Sequence, residues 1–122
     1  MDIYREQLLD NYQNPRNFRE IIDADAIMEM ENTHCGDRIK VFVNVEDGKI
    51  VDASFDGEGC AIAIASASML TEYIRGKTVA DVKDIDIYDW MDIMDVRLTT
   101  SRAKCASLSL ESVRGALEKG PF

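Results

Sequence analysis

The sequence has little positive charge, few prolines and no long apolar run, and each shortage excludes a class of protein. Fourteen Lys and Arg residues stand against 23 Asp and Glu residues, which gives a formal net charge of −9. Nucleic acids and anionic membranes both bind basic surfaces, so we predict neither as a partner. Two prolines and seven glycines in 122 residues exclude collagen-like and low-complexity chains. The longest small-apolar run, 61–70, is too short to cross a membrane.

The cysteines number only three, so a disulfide framework is not expected. Charged residues begin at Asp2, and the first residues lack the apolar core of a secretory signal. We therefore predict a cytoplasmic protein, in which cysteines remain thiols. The length is typical of one domain, here residues 1–122, with enough chain to bury a core without disulfides.

Three segments show the alternation of apolar and polar residues that is typical of β-strands. They are 26–31, 39–45 and a third run with one face made of Val51, Ala53 and Phe55. Asp47 and Gly48 separate the second and third runs, and an Asp-Gly pair in that place predicts a tight hairpin. In this hairpin Glu46 and Lys49 would face each other as an opposite-charge pair.

Helical periodicity occupies most of the remaining chain. The predicted helices run from about Asp2 to Tyr12, from Cys60 to Arg75, over 86–94 and from Ala103 to Lys119, with a short helix capped by Thr78. Their predicted apolar stripes are Tyr4–Leu8–Tyr12, Ile62–Ala65–Met69–Tyr73, Ile87–Trp90–Met94 and Ala106–Leu110–Val113–Leu117. Strands come first and helices cluster later, which predicts an α+β fold: a small antiparallel three-stranded sheet with helices packed on one face.

The chemistry of the sequence centres on Cys35, Cys60 and Cys105, each of which is predicted to lie at a boundary between elements. Cys60 and Cys105 would stand in the first turns of helices, where the helix dipole favours thiolate, the form that binds metal. Asp37, two residues after Cys35, would share a face with it in extended chain. Three thiolates and a carboxylate would suit Zn²⁺ or iron. Three small buried cysteines are the alternative, and the residues alone leave both interpretations open.

Other residues near these positions allow two interpretations each. His34 is either an alternate ligand or an exposed loop histidine, and the second is favoured because neighbouring side chains in extended chain point apart. Lys104 and Arg102 either stabilise a thiolate by charge or are simply solvated. An acidic run from Asp81 to Asp92 is interpreted as a solvated helix face, and Trp90 as a core residue.

Four motifs, in order along the chain, resemble the iron–sulfur cluster assembly scaffold family that includes IscU, SufU and the NifU N-terminal domain. The motifs are Asn14-Pro15-Arg16-Asn17, Cys35-Gly36-Asp37, Gly57-Glu58-Gly59-Cys60-Ala61-Ile62 with Ala65-Ser66-Ala67-Ser68, and Arg102-Ala103-Lys104-Cys105-Ala106-Ser107-Leu108. Each motif is weak by itself, whereas the ordered set is specific and covers nearly the whole chain.

The resemblance implies a scaffold on which a [2Fe–2S] cluster is assembled from iron and persulfide sulfur. It implies Cys35, Asp37, Cys60 and Cys105 as ligands, with Cys105 and Cys35 as candidate persulfide acceptors and Lys104 and Arg102 as auxiliary residues. It implies a PLP-dependent cysteine desulfurase as the sulfur donor and apo iron–sulfur proteins as recipients. The carboxylate of Asp37 would keep the cluster labile, because a hard oxygen ligand binds such centres less tightly than thiolate.

One position distinguishes branches of this family. The IscU branch has histidine directly before the third cysteine, whereas this chain has Lys104 and is there similar to the SufU branch, whose members hold Zn²⁺ and relay persulfide sulfur. The stretch from Gly76 to Arg102 is too short for the insertion usual in SufU. Two further functions are therefore carried as alternatives to the scaffold: a zinc-dependent sulfurtransferase, and a structural-zinc module without sulfur chemistry.

Overall fold

A computed structural model describes residues 3–33, 36–95 and 100–120 of the chain. In order, the elements are α1 (Ile3–Gln13), β1 (Ala26–Asn32), β2 (Asp37–Glu46), β3 (Lys49–Glu58), α2 (Ala61–Ile74), α3 (Val79–Lys83), α4 (Ile87–Met94) and α5 (Thr100–Lys119). The predicted α+β fold is confirmed. No helix among these residues combines the length and apolar character that a membrane span requires.

The sheet is a three-stranded antiparallel meander in the order β1-β2-β3. Asp47 and Gly48 join β2 to β3 with φ angles of 51° and 75°, so both central residues have the positive φ that a tight hairpin of this kind requires. Glu46 pairs with Lys49 in the register, as predicted. The hairpin therefore forms from local sequence, and it places the far ends of both strands, at Asp37 and Glu58, at the same end of the sheet.

A β-bulge overturns one part of the predicted strand pattern. The register between β2 and β3 shifts after Asn44, so that Asn44 pairs with Asp52 whereas Val45 pairs with Ile50. Val51 is the extra residue and is 46% exposed, whereas Ile50 is fully buried. The prediction that Val51 shares the core face with Ala53 and Phe55 is wrong, because one inserted residue reverses the alternation beyond it.

Helix α2 lies at the centre of the molecule, between α1, α5 and the sheet. Its fully buried residues include Ala63, Ala67, Leu70 and Ile74, whereas Tyr73, from the predicted stripe, is exposed. Of the predicted stripe, Ala65 is buried and Ile62 and Met69 pack against the core, so the prediction fails at Tyr73 alone. The helix buries most of its circumference rather than one face because other elements surround it. Its small residues allow close approach on every side.

The turn after α1 attaches this helix to the outer edge of the sheet. The Phe55 N–H donates to the Asn17 carbonyl at 2.9 Å, and the Arg19 N–H donates to the Phe55 carbonyl at 3.0 Å. Of the stripe predicted for α1, Leu8 is half-buried but Tyr12 is exposed, and Asn11 is the buried residue instead. The contact face of α1 is thus partly polar, which hydrophobic periodicity does not detect.

The later helices follow the predictions more closely. Thr78 caps α3, Asp86 caps α4 in a reciprocal capping box with Asp89, and Trp90 and Met94 are buried. The predicted core residues of α5 are confirmed as buried: Ala106, Leu110, Val113 and Leu117. The acidic residues of 81–92 are exposed, in agreement with a solvated face. Helix α5 begins at Thr100, three residues earlier than predicted, which changes the position of Cys105 within it.

Candidate metal centre

Three separate elements bring a carboxylate and two thiols to one point. Asp37 is the first residue of β2, Cys60 is the N-cap of α2, and Cys105 lies on α5. One ligand atom from each of the three lies within 4.8 Å of the others. The segments are 23 and 45 residues apart in sequence, so the fold, and not local chain geometry, creates this cluster.

Asp37 is held in place by the start of α2. Its carboxylate is 1% exposed, and Oδ1 accepts a hydrogen bond from the backbone N–H of Cys60 at 2.8 Å. Oδ2 lies 3.7 Å from the Cys60 Sγ, a distance at which a thiol can donate weakly to it. The N-terminus of α2 thus supplies the hydrogen bond that burial of this carboxylate requires.

Gly59 allows this contact and was not singled out as a site residue in the sequence. Its φ is 155°, and a Cβ on Gly59 would collide with Oδ1 of Asp37. Glycine therefore satisfies two requirements at once, an unusual backbone angle and close approach to the carboxylate. The signal was present in the Gly57-Glu58-Gly59-Cys60 motif, but only the geometry shows that Asp37 is the neighbour.

Cys105 differs from its predicted setting. It is the sixth residue of α5 and is 5% exposed, so it does not lie at a helix boundary that reaches solvent. The predicted position at a helix N-terminus is therefore confirmed for Cys60, the N-cap of α2, and is wrong for Cys105. The error arose from placing the start of α5 at Ala103.

The chemistry of the three donors fits a metal ion. Sulfur and carboxylate oxygen are both ligands of zinc, at about 2.3 Å and 2.0–2.2 Å, so neighbouring ligands of a tetrahedral ion are roughly 3.5–3.8 Å apart. The spacing of at most 4.8 Å needs only a small contraction to reach those values. Three donors leave one coordination position for a fourth ligand or for incoming sulfur.

The remaining predicted site residues fall into two groups. Cys35 and His34 lie outside the described residues. Lys104 and Arg102 are exposed on α5, and Lys104 lines a shallow groove with Glu31 and Glu111. Neither basic residue is buried with the ligand cluster, so both remain candidates for an auxiliary role at its rim.

Arg38, the residue after Asp37, connects the strands beside the site. Its guanidinium lies 3.2 Å from Glu29 of β1 and 3.8 Å from Glu58 of β3. The hydrogen bond to Glu29 raises the pKa of Arg38, which stays charged in any case. These exposed pairs contribute little free energy, but they span all three strands where the ligand-bearing end of the sheet begins.

Sequence comparison relates the chain to proteins of iron–sulfur metabolism. Residues 3–120 match the family model described as the NifU-like N terminal domain. The zinc-dependent sulfurtransferase SufU of Bacillus subtilis is 35% identical, over 97% of this chain and 88% of that protein. The iron–sulfur cluster assembly scaffold protein IscU of Thermotoga maritima is 34% identical, over 96% of this chain and 94% of that protein.

Solved structures show the same fold. A protein of Fervidobacterium islandicum, named as an iron–sulfur cluster assembly scaffold for the SUF system, superposes with a TM-score of 0.76 at 27% identity, covering 92% of this chain and 94% of that one. The N-terminal part of a NifU-like protein from Brucella abortus gives a TM-score of 0.79 at 19% identity, covering 95% and 92%. The second likeness concerns the fold alone.

Proposed function

Since the chain belongs to the family of NifU-like N-terminal domains, we propose that it is an iron–sulfur cluster assembly scaffold protein. The observation that carries this proposal is the meeting of Asp37, Cys60 and Cys105, whose ligand atoms lie within 4.8 Å of one another. Relatives named as scaffold proteins align with nearly the whole chain, which supports the same role here.

We assign four ligands to the centre: Asp37, Cys60, Cys105 and Cys35. Cys35 is included because it stands two residues before Asp37 in the sequence. Iron and sulfur are the substrates, and a [2Fe–2S] cluster is the proposed cargo. Thiolates suit iron–sulfur centres, whereas the single carboxylate binds less tightly and makes release to apo iron–sulfur proteins easier.

Sulfur would come from a PLP-dependent cysteine desulfurase that carries a cysteine persulfide. The thiolate of Cys105 or Cys35 attacks the terminal sulfur of that persulfide. The sulfur–sulfur bond of the donor breaks, the donor cysteine leaves as a thiolate, and the new persulfide forms on this chain. Persulfide transfer needs reduced thiols, which persist in a reducing compartment, so we assign this chemistry to the cytoplasm.

Anaerobic reconstitution tests the scaffold function. The protein is incubated with ferrous iron, cysteine and a cysteine desulfurase, and sulfur-to-iron charge-transfer absorption is followed in the visible range. We expect absorption with the wild type and none with Cys60→Ala. Asp37→Ala is expected to slow transfer to an apo-ferredoxin, whereas Asp92→Ala, which removes an exposed carboxylate from α4, serves as the matched control. Absence of absorption at every ratio of reagents would rule out the scaffold.

A zinc-dependent sulfurtransferase is the second candidate, and Lys104 favours it. This lysine stands where the IscU branch has histidine, and the SufU relative of Bacillus subtilis is named for zinc-dependent sulfur transfer. Asp37, Cys60 and Cys105 would hold the zinc, which when bound keeps the thiols deprotonated and ready to accept sulfur.

Desulfurase turnover separates the two candidates. The sulfurtransferase predicts about one zinc per chain and faster cysteine turnover by the desulfurase, with the acceleration abolished by Cys35→Ala or Cys105→Ala. Unchanged turnover on adding the zinc-loaded protein would exclude this candidate. If, in addition, mass spectrometry finds no persulfide on any cysteine and no cluster forms, the remaining function is a structural-zinc module.

A further inference from the structure

One buried hydroxyl joins the helices that carry Cys60 and Cys105. Ser66 of α2 is fully buried, and its Oγ donates to the carbonyl of Ala106 on α5 at 2.8 Å. The same oxygen lies 2.9 Å from the Oγ of Ser109, also on α5. The indole N–H of Trp90, on α4, donates to it at 2.9 Å. Three helices therefore meet at a single oxygen atom.

Ser66 has three hydrogen-bond partners on two neighbouring helices. A hydroxyl has one proton to donate and two lone pairs to accept. The proton goes to Ala106 and one lone pair receives the Trp90 N–H, while the Ser109 hydroxyl lies at hydrogen-bond distance from Ser66 and also 3.4 Å from the Ala106 carbonyl. Because these three partners meet at one buried oxygen, sliding of α2 along α5 disrupts several buried contacts at once.

The position of this contact relates it to the ligands. Ala106 directly follows Cys105, and Ser66 lies six residues, about 9 Å along the helix axis, from Cys60. A rigid helix would carry a shift at Ser66 to its N-cap, so loss of this contact is expected to change the separation of the two sulfur atoms. Displacements below 1 Å matter here, because ligand geometry at a metal tolerates little error.

We propose that Ser66 is a positioning residue that fixes α2 against α5 and thereby holds the Cys60 and Cys105 thiols at metal-binding distance. The proposal rests on the proposed function, since it assumes that these thiols bind a metal. Ser66 does not touch the ligand atoms and acts through the backbone carbonyl beside Cys105. Direct hydrogen-bond partners of metal ligands typically change metal affinity by about 10–100-fold when removed; because Ser66 acts one residue further away, we expect a loss at the lower end of that range, about tenfold.

Helix α2 provides a matched control two residues away. Ser68 is also fully buried, and its Oγ donates to Oδ1 of Asn11 at 2.7 Å and accepts from the N–H of Arg16 at 2.8 Å. Its partners belong to α1 and the turn that follows, and not to α5. Ser66→Ala and Ser68→Ala therefore remove the same group, at the same burial and from the same helix, but on different sides of it.

The test measures metal binding without any activity assay. Zn²⁺ affinity is determined by competition with a chromophoric chelator, and the thiolate-to-Co²⁺ and ligand-field bands report the geometry of the ligands. We expect Ser66→Ala to lose about tenfold in Zn²⁺ affinity and to shift the Co²⁺ bands, whereas Ser68→Ala keeps both at wild-type values. Equal losses in the two variants, or none in either, would refute the positioning role.

Trp90, whose indole N–H bonds to Ser66, gives a second, fluorescent readout because it is the only tryptophan in the sequence. Zn²⁺ does not itself quench fluorescence, so a change in Trp90 emission on Zn²⁺ loading must pass through the protein. We expect such a change in the wild type and in Ser68→Ala, and a smaller one in Ser66→Ala. Emission that responds equally in all three proteins would contradict the proposal.

Two further measurements separate a folding defect from a loss of positioning, and a failure of this proposal from a failure of the proposed function. If Ser66→Ala does not fold, Ser66→Thr and Ser66→Val replace it, since they add the same volume and differ only in the hydroxyl. Tighter Zn²⁺ binding by the threonine variant supports positioning, and equal binding refutes it. If wild-type protein binds neither Zn²⁺ nor Co²⁺ through its cysteines, the proposed function fails as well. Normal binding with no effect at Ser66 leaves the function standing.

Discussion

A buried serine forms hydrogen bonds on each of two sides of α2, and each serine holds a different helix. On one side Ser68 bonds to Asn11 and to the backbone N–H of Arg16, which attaches α1 and its following turn. On the other side Ser66 bonds to Ala106, next to Cys105 on α5. Both serines are fully buried. The partners of Ser68 on the α1 side are far from the ligands in sequence, whereas the partner of Ser66 on the α5 side directly follows Cys105.

The ligand end buries a carboxylate beside two thiols, where a bound cation would contact all three. The Asp37 carboxylate is almost fully buried, and within the described part of the chain it accepts a hydrogen bond from the Cys60 N–H and has a weak thiol contact at its second oxygen. Burial of a charged carboxylate is unfavourable unless it is well compensated. A cation between Asp37 and the two sulfurs would compensate it directly. The comparison therefore predicts that metal ions and substitutions at the ligand end act together, whereas substitutions on the α1 side act on stability alone.

The largest expected effect is the stabilisation by metal. Zn²⁺ at about 1,000 times its Kd should raise the free energy of unfolding by about 4 kcal/mol, since the folded chain alone brings the ligands together. Thermal unfolding with Zn²⁺ and then with excess chelator measures this. Cys60→Ala should lose the difference, whereas Asn11→Ala should keep it. A melting temperature that does not change at saturating Zn²⁺ would contradict both the metal site and the predicted difference between the ligand end and the α1 side.

Gly59→Ala is expected to have the next largest effect, about 2–3 kcal/mol, because it combines an unfavourable φ with a collision against Asp37. Gly76→Ala is the matched control. Gly76 has a φ of 85°, but a Cβ there would meet no atom within 4 Å, so only the backbone strain of about 1 kcal/mol applies. Urea unfolding gives both values. Zn²⁺ affinity should fall for Gly59→Ala only, and equal affinities would show that Gly59 does not shape the ligand site.

On the α1 side, Asn11→Ala should cost about 1–2 kcal/mol without changing metal affinity. The substitution removes the acceptor for the Ser68 hydroxyl and the donor that bonds to the Gln7 carbonyl at 2.9 Å, and it leaves a buried hydroxyl with one partner fewer. Chemical unfolding measures the loss, and chelator competition measures Zn²⁺ affinity. A clear drop in affinity would mean that the two sides of α2 are coupled and not independent.

Local signals predicted much of this architecture. The Asp47-Gly48 hairpin, the Thr78 cap and the burial of Trp90 each depend on neighbouring residues or on helical periodicity, and all three are confirmed. Cys60 was likewise expected at the start of a helix, and the Gly59 turn and the N-cap geometry place it there. The presence of Asp37 and two cysteines in one cluster followed from a family resemblance, because no spacing rule links segments so far apart.

The failures have physical causes that a single sequence does not display. The bulge at Val51 depends on the pairing of two strands, and alternation within one strand does not report it. The stripe predicted for α2 was too narrow, because the small residues of this helix are buried nearly all round. The three hydrogen bonds at Ser66 could not be predicted, because a serine between alanines in a helix does not reveal its partners on other helices.

The smallest expected effect concerns an exposed pair on the α1 side. Arg16 hydrogen-bonds to Asp10 at 2.5 Å and lowers the pKa of that carboxyl below its ordinary value of 3.8, with help from Asn14. Because the pKa is lower in the folded protein, the stabilisation is present above the unfolded pKa and disappears as pH falls through the folded one. Asp10→Asn should therefore lower the melting temperature of the metal-free protein slightly at neutral pH, and by less in high salt. It should have no effect at a pH low enough to protonate Asp10 in both the folded and the unfolded protein. A loss as large as that of Asn11→Ala would show that the ion pair, and not the buried amide, attaches α1 to α2.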